Sequence, residues 1–335
     1  MPQTDIHLVD LKKRVSSWGT SLFQLADQLR ENKSSPPGPG PLVNKTAALV
    51  FHKPSLRTRV SFTVGMQELG GNIVELGSAE VSAGGRESLK DVAHVLSEMC
   101  SLLVIRTYAH KTVEDLAEHA SIPVINALTD FMHPCQVLSD LYTIYRAGKD
   151  LDNITVAWVG DANNVLHSWL EATNMFGFHL RFAVPDGFEP DAELYLRTTE
   201  HARGEVTRFH DPYDAVQGAD VIYTDTWTSM GQEDQADWRR QVFSGYQVND
   251  ALMAAARPDA VFMHCLPAHR GQEVSDAVLD GAQSIVVEQA ANRLHLQKAL
   301  MVDLVSAQEN IQKVEASAEL TGKPAEPLAK ATLQV

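Results

Sequence analysis

Residues 47–59 read Ala-Ala-Leu-Val-Phe-His-Lys-Pro-Ser-Leu-Arg-Thr-Arg. An apolar run ends at Lys53-Pro54-Ser55, and a helical pattern follows in which Val60, Val64 and Leu69 fall on one side. A strand that enters a helix through hydroxyls and guanidiniums is suited to holding a phosphate. The first helical turn offers unpaired N–H groups and the positive end of the helix dipole. Ser55 and Thr58 add hydroxyl donors, and arginine adds a planar fork that matches phosphate oxygens. The plainer alternative is a helix capped by Ser55 with two solvated arginines. The rest of the chain decides between them.

Outward from this junction, β-rich runs alternate with amphipathic stretches. Strands are expected near 45–51, 72–76, 101–105 and 122–125, with helices at 57–69, 87–99, 111–120 and 136–148. After Gly148, a plausible domain joint, the alternation resumes with strands near 154–159, 179–184, 205–208, 220–224, 260–263 and 284–287. This rhythm predicts an α/β protein of two doubly wound parallel-sheet domains. Residues 289–305 read as a final helix, and 306–335, rich in Ala, Glu, Lys and Pro, as a frayed or disordered tail. The run Ser34–Pro41 is a loop, since its prolines and glycines suit neither helix nor strand interior.

At 335 residues the chain exceeds one core of usual size, which favours two domains. The formal charge is −15, from 43 acids against 28 Lys plus Arg. Such a surface repels nucleic acid and anionic membrane, so the arginines read as local anion sites. Cys100, Cys135 and Cys265 are odd in number and widely spaced, which suits neither a disulfide framework nor a metal knuckle and fits a reducing compartment. The N-terminus lacks a basic-then-apolar secretion pattern and no apolar stretch is long enough to span a bilayer, so the cytoplasm is the expected location.

In doubly wound sheets, chemistry gathers beyond the carboxyl ends of the strands. Here those positions carry Arg106; His133-Pro134-Cys135-Gln136; Gly160-Asp161-Ala162-Asn163-Asn164; Asp225 through Gly231; His264-Cys265-Leu266-Pro267; and Glu288 through Arg293. Each has a bland reading as well. Arg106 could be a rim charge, His133 a helix cap, Asp225 a turn cap, Met230 packing, Cys265 a core thiol and Arg293 a solvated charge. The G-x-G-x-x-G spacing of a dinucleotide site is absent. His264, Cys265 and His269 hint at zinc without a further ligand at suitable spacing, so no metal or cofactor is expected.

Taken together, Lys53-Pro-Ser-Leu-Arg-Thr-Arg59, His133-Pro-Cys-Gln136, Gly160-Asp-Ala-Asn-Asn164, Asp225-Thr-Trp-Thr-Ser-Met-Gly231 and His264-Cys-Leu-Pro-Ala-His-Arg-Gly271 resemble the ornithine carbamoyltransferases, from about residue 5 to 305. The resemblance implies a carbamoyl-phosphate domain over 1–148, an ornithine domain over 149–288, and a last helix, 289–305, that returns to the first domain. It implies transfer of a carbamoyl group from carbamoyl phosphate to the δ-amine of L-ornithine, a step of arginine metabolism, by a homotrimer or an assembly of trimers. Carried over by position, Ser55, Leu56 (through its backbone), Arg57 and Thr58 would cradle phosphate, and Arg106, His133 and Gln136 would bind the carbamoyl group, with Arg293 nearby. Asn164, Asp225, Ser229 and Met230 would hold the amino-acid end of ornithine, with Cys265 and Leu266 beside its δ-amine; Cys265, Arg106 and His133 would be the catalytic groups. Two positions depart from the family pattern: Leu56 stands where Thr is usual, and Ser82 where a Gln from the neighbouring subunit is expected. A transferase acting on a related amine and a silent homologue are the competing readings.

Overall fold

The computed structural model describes residues 6–12, 18–31, 40–81, 85–229 and 231–321. Ser82, Met230, most of the Ser34–Pro41 loop and 322–335 lie outside the described residues. The first half runs α1 (Ser21–Glu31), β1 (Thr46–Phe51), α2 (Leu56–Glu68), β2 (Asn72–Gly77), α3 (Leu89–Met99), β3 (Leu102–Arg106), α4 (His110–His119), β4 (Val124–Leu128) and α5 (Pro134–Arg146). The second half runs β5 (Thr155–Val159), α6 (Asn164–Ala172), β6 (His179–Ala183), α7 (Ala192–His201), β7 (Val206–Phe209), α8 (Pro212–Val216) and β8 (Val221–Thr224). It continues with α9 (Ala236–Val242), α10 (Asp250–Met253), β9 (Val261–His264), α11 (Asp276–Leu279) and α12 (Val286–Thr321).

Two parallel sheets result, ordered β2-β1-β3-β4 and β7-β6-β5-β8-β9. Both are wound outward from a central pair, β1 and β3 in the first and β5 and β8 in the second. The strand order reverses between those pairs, and a crevice opens at their carboxyl ends. Alternation along the strands supplies both faces with apolar side chains. Leu49 and Trp158 join a core that runs continuously through both halves, whereas Val50 and Val159 serve separate cores on the opposite faces. Trp158, Trp169, Tyr142 and Tyr223 are fully buried along the shared core, each stabilising the fold by roughly 2–3 kcal/mol.

Helix α12 packs along α1, α2 and α5, so this helix is built into the first half. Lys298, almost fully buried, donates to the Leu29 carbonyl at 2.9 Å and pairs with Glu68 at 2.8 Å. Close approach of α12 to α2 depends on Gly65, where a Cβ would lie 3.2 Å from both Lys298 Cγ and Met301 Cε.

Two expectations are corrected. Residues 284–287 form no strand: Ser284 makes a single bridge to Phe262, and the chain enters α12 at Val286. The helix formers Glu288, Gln289, Ala290 and Ala291 outweigh the β-branched run Ile285-Val286-Val287. Residues 306–321 are helical rather than a frayed tail, because tertiary contacts hold them: Gln308 donates to the Ser121 carbonyl at 2.7 Å and Glu309 pairs with Lys45.

Candidate active site

A cleft of about 1130 Å³ opens between the two sheets. It receives the β1–α2 junction and Arg106 from the first switch point, and Asn163, Asn164 and Asp225 from the second. Gly160 turns the chain out of β5 at φ 131°, a conformation that strongly favours glycine.

At the β1–α2 junction Ser55 occupies the N-cap position with no side-chain cap bond, which leaves the N–H groups of the first turn for a ligand. The Leu56 side chain is 74% exposed at the rim of the cleft. Arg59 takes the bland role, pairing with Glu75 over the Phe51 ring.

Arg57, Arg106 and Arg293 converge on the cleft from α2, β3 and α12. Arg57 and Arg293 hydrogen-bond to neutral partners. Arg57 Nη2 donates to the Leu266 carbonyl, and Arg293 donates to Thr58 Oγ1 at 2.8 Å and to Gln136 Oε1 at 3.0 Å. Burial, with the like charges of Arg293 and Arg57, lowers Arg106 to about 10, so it stays cationic at neutral pH. Arg106 Nε, Arg293 Nε and His133 Nδ1 are buried without a partner. Buried polar atoms left open in this way, amid gathered positive charge, suit an incoming anion.

His133 is held by its backbone N–H, which donates to Ser168 Oγ at 2.8 Å. Burial and the three arginines hold its imidazole well below the usual histidine range, so the ring is neutral. Lys53, also at the wall, pairs with Asp130 beneath the Tyr108 ring.

Across the cleft, Cys265 Sγ donates to Asp225 Oδ1 at 2.9 Å. Asn163 Nδ2 holds the other oxygen at 2.7 Å, and Thr226 N–H donates to Oδ1 at 2.8 Å. Burial and the Asp225 carboxylate push the Cys265 thiol well above its ordinary value, so it remains S–H. Asn164 opens α6 and donates to the Thr129 carbonyl at 2.6 Å, and Ser229 lines the same wall. Asp225, His264 and Cys265 place ligand atoms within 4.8 Å of one another. Both nitrogens of His264 are engaged, Nδ1 accepting from Leu266 N–H at 2.8 Å and Nε2 bonded to Glu273 at 3.2 Å, so the donor set suits hydrogen bonding rather than a cation.

Every described residue proposed from the sequence lines this one cleft: Ser55, Leu56, Arg57, Thr58, Arg106, His133, Gln136, Asn164, Asp225, Ser229, Cys265, Leu266 and Arg293. Residue patterns alone missed Asn163 as the clamp on Asp225, and the buried pair of Asp161 with Arg239 that braces the β5 turn. They also missed Asp140, one helical turn after Gln136. Its spacing of four residues was the available signal.

Comparison with known proteins agrees with this geometry. Residues 7–146 match the family described as aspartate/ornithine carbamoyltransferase, carbamoyl-P binding domain, and residues 152–304 its Asp/Orn binding domain. The chain is 47% identical over 298 residues to an ornithine carbamoyltransferase of Chlorobaculum tepidum, covering 89% of this chain and 88% of that protein. The ornithine carbamoyltransferase structure from Pyrococcus furiosus superposes with a TM-score of 0.83 at 43% identity, covering 88% of this chain and 95% of that one. The Thermus thermophilus structure gives 0.78 at 41%, covering 90% and 99%.

Proposed function

This chain belongs to the aspartate/ornithine carbamoyltransferase family, and we propose that its cleft transfers the carbamoyl group of carbamoyl phosphate to the δ-amine of L-ornithine, giving L-citrulline and phosphate. The observation that carries this reading is the opposition of two walls. One presents Arg57 and Arg293, which hydrogen-bond to neutral groups, beside Arg106 with its Nε buried and unpartnered, and the other presents a thiol–carboxylate pair.

The first turn of α2, with Ser55, Arg57 and Thr58, cradles the phosphate. Attack on the carbamoyl carbon places negative charge on its carbonyl oxygen, and Arg106 with the neutral His133 donates to that oxygen. Gln136 Oε1 accepts from the carbamoyl amino group. A δ-amine titrates at about 10.4 in water and must arrive unprotonated to act as a nucleophile. Proximity to the arginines and desolvation favour the neutral amine, and Asp225 with Cys265 orients it. Asn164, Ser229 and Met230 read the α-amino and α-carboxyl groups. The departing phosphate takes up the proton, so no separate protein base is needed. Much of the rate comes from positioning two small reactants in one cleft.

We assign the working assembly as a homotrimer in the cytoplasm. The exposed Leu56 and Val60 of α2, Val74 of the edge strand β2 and Val95 and Met99 of α3 offer apolar surface for a neighbouring copy. No helix among the described residues is long and apolar enough to cross a membrane. Light scattering after gel filtration tests the trimer, and a monomeric mass rejects it. The activity is tested by citrulline formation with ornithine, putrescine and N-acetylornithine as acceptors. Product with ornithine alone is expected, and no product with any amine would overturn the assignment.

A further inference from the structure

Asp140 lies on α5 behind the cleft, fully buried and outside its lining. It accepts hydrogen bonds from Gln136 Nε2 at 2.8 Å, Gln289 Nε2 at 2.7 Å and the Tyr223 hydroxyl at 2.8 Å. These donors come from α5, α12 and β8, so one carboxylate ties α5 of the first half to the second sheet and to the returning helix. All three are uncharged. Burial outweighs the three donors and Arg293, which favour the ionised form, and leaves Asp140 raised to about 7.

The consequence lies in the two amides. Gln136 stands between Asp140, which in its ionised form can only accept, and Arg293, which can only donate. A single orientation satisfies both, with Nε2 toward the carboxylate and Oε1 toward Arg293 and the cleft. Gln289 is set in the same way. Its Nε2 meets Asp140, and its Oε1 accepts the His264 N–H at 2.9 Å, next to Cys265. A continuous chain of hydrogen bonds therefore runs from Thr58 through Arg293, Gln136, Asp140 and Gln289 to the backbone that carries the thiol.

We propose that Asp140 is a positioning residue for carbamoyl transfer: its carboxylate orients the Gln136 amide so that Oε1 faces the carbamoyl amino group, and through Gln289 it locks the Cys265 wall in register with the phosphate wall. This rests on the carbamoyl-transfer reading above. A carbamoyl NH2 only donates, so it needs an acceptor there, and a reversed Gln136 would present a donor instead.

The test is a kinetic cycle on the full-length enzyme. Asp140→Asn keeps the shape, but its amide nitrogen must face one of three groups that now donate. Melting within a few degrees of wild type is expected, with kcat/KM for carbamoyl phosphate reduced about 10- to 100-fold and KM for ornithine changed less than about threefold. In a Gln136→Met background the same substitution is expected to cost less than about threefold, because the two residues act as one unit. Equal losses in both backgrounds, or an Asp140→Asn enzyme within about twofold of wild type, would overturn the proposal. Should that variant not fold, a neutron structure of the wild-type enzyme decides, and Gln136 Oε1 turned toward Asp140 sinks it. A wild-type enzyme inert toward every amine would reject the parent reading instead, since the cycle compares variants only where wild type turns over.

Discussion

Arg293 and Thr58 are 235 residues apart, yet Arg293 Nη2 donates to Thr58 Oγ1 at 2.8 Å inside the first turn of α2. The wall of the cleft at the start of α2 is therefore completed by α12. The first half carries Arg57 on α2 and Arg106 on β3, but the third guanidinium arrives only when α12 folds back. This arrangement couples packing of α12 to chemistry in the cleft.

The three arginines repel one another. Replacing Arg106 by Gln removes a buried charge whose strongest charged neighbours are Arg293 and Arg57. We expect Arg106→Gln to melt at the same temperature as wild type or higher, while kcat falls by about 100-fold or more with the loss of a carbonyl-oxygen donor. Scanning calorimetry beside a citrulline assay checks both halves, and a large drop in melting temperature contradicts the charge argument.

Gly65 tests the coupling of packing to the site. A Cβ there would sit 3.2 Å from Lys298 and Met301, and Gly65→Val would push α12 away from α2. Overpacking of this kind costs about 1–3 kcal/mol. Because Arg293 rides on the same helix, the KM for carbamoyl phosphate should rise more than the KM for ornithine. Equal changes in the two constants would mean that the strain stays local.

The Cys265 thiol is held as S–H by burial and Asp225. Alkylation by iodoacetamide at pH 7 should be much slower at Cys265 than for a free cysteine. Incubation with carbamoyl phosphate alone should leave the intact mass unchanged. A carbamoyl adduct on this sulfur, seen by mass spectrometry, would instead make it a nucleophile.

Glu171 on α6 accepts the Leu11 N–H at 2.8 Å and is pushed up to about 7 by burial, with Asp10 adding to the effect. A carboxyl group raised in the folded state binds more protons there than in the unfolded chain. Its contribution to stability is full below its unfolded value, roughly 4.3, and is lost as pH rises through about 7. Glu171→Gln should therefore melt higher relative to wild type at pH 8 than at pH 5. A difference that is constant across this range refutes the linkage.

The β1–α2 junction was legible because its signals are local: an apolar run stopped by Pro54, then hydroxyls and guanidiniums opening a helix. Strand ends bearing Arg106, Asp225 and Cys265 were legible for the same reason. Arg293 was not legible from its pattern, since a helix that carries both Arg293 and Lys298 reads as a solvated face, whereas the structure buries both. Arg293 enters the cleft and Lys298 pairs with Glu68. Nor could the run at 284–287 reveal its fate, because it makes only one bridge to Phe262 before α12 begins.

Sequence by itself determined the two α/β halves and the residue types at the strand ends, because strand periodicity and helix starts depend on neighbours a few positions away. Tertiary structure alone decided which charges were left for a ligand, how Asp140 links the walls, and where α12 lies. Those outcomes depend on burial and on partners more than a hundred residues distant, such as Gln289 149 residues from Asp140.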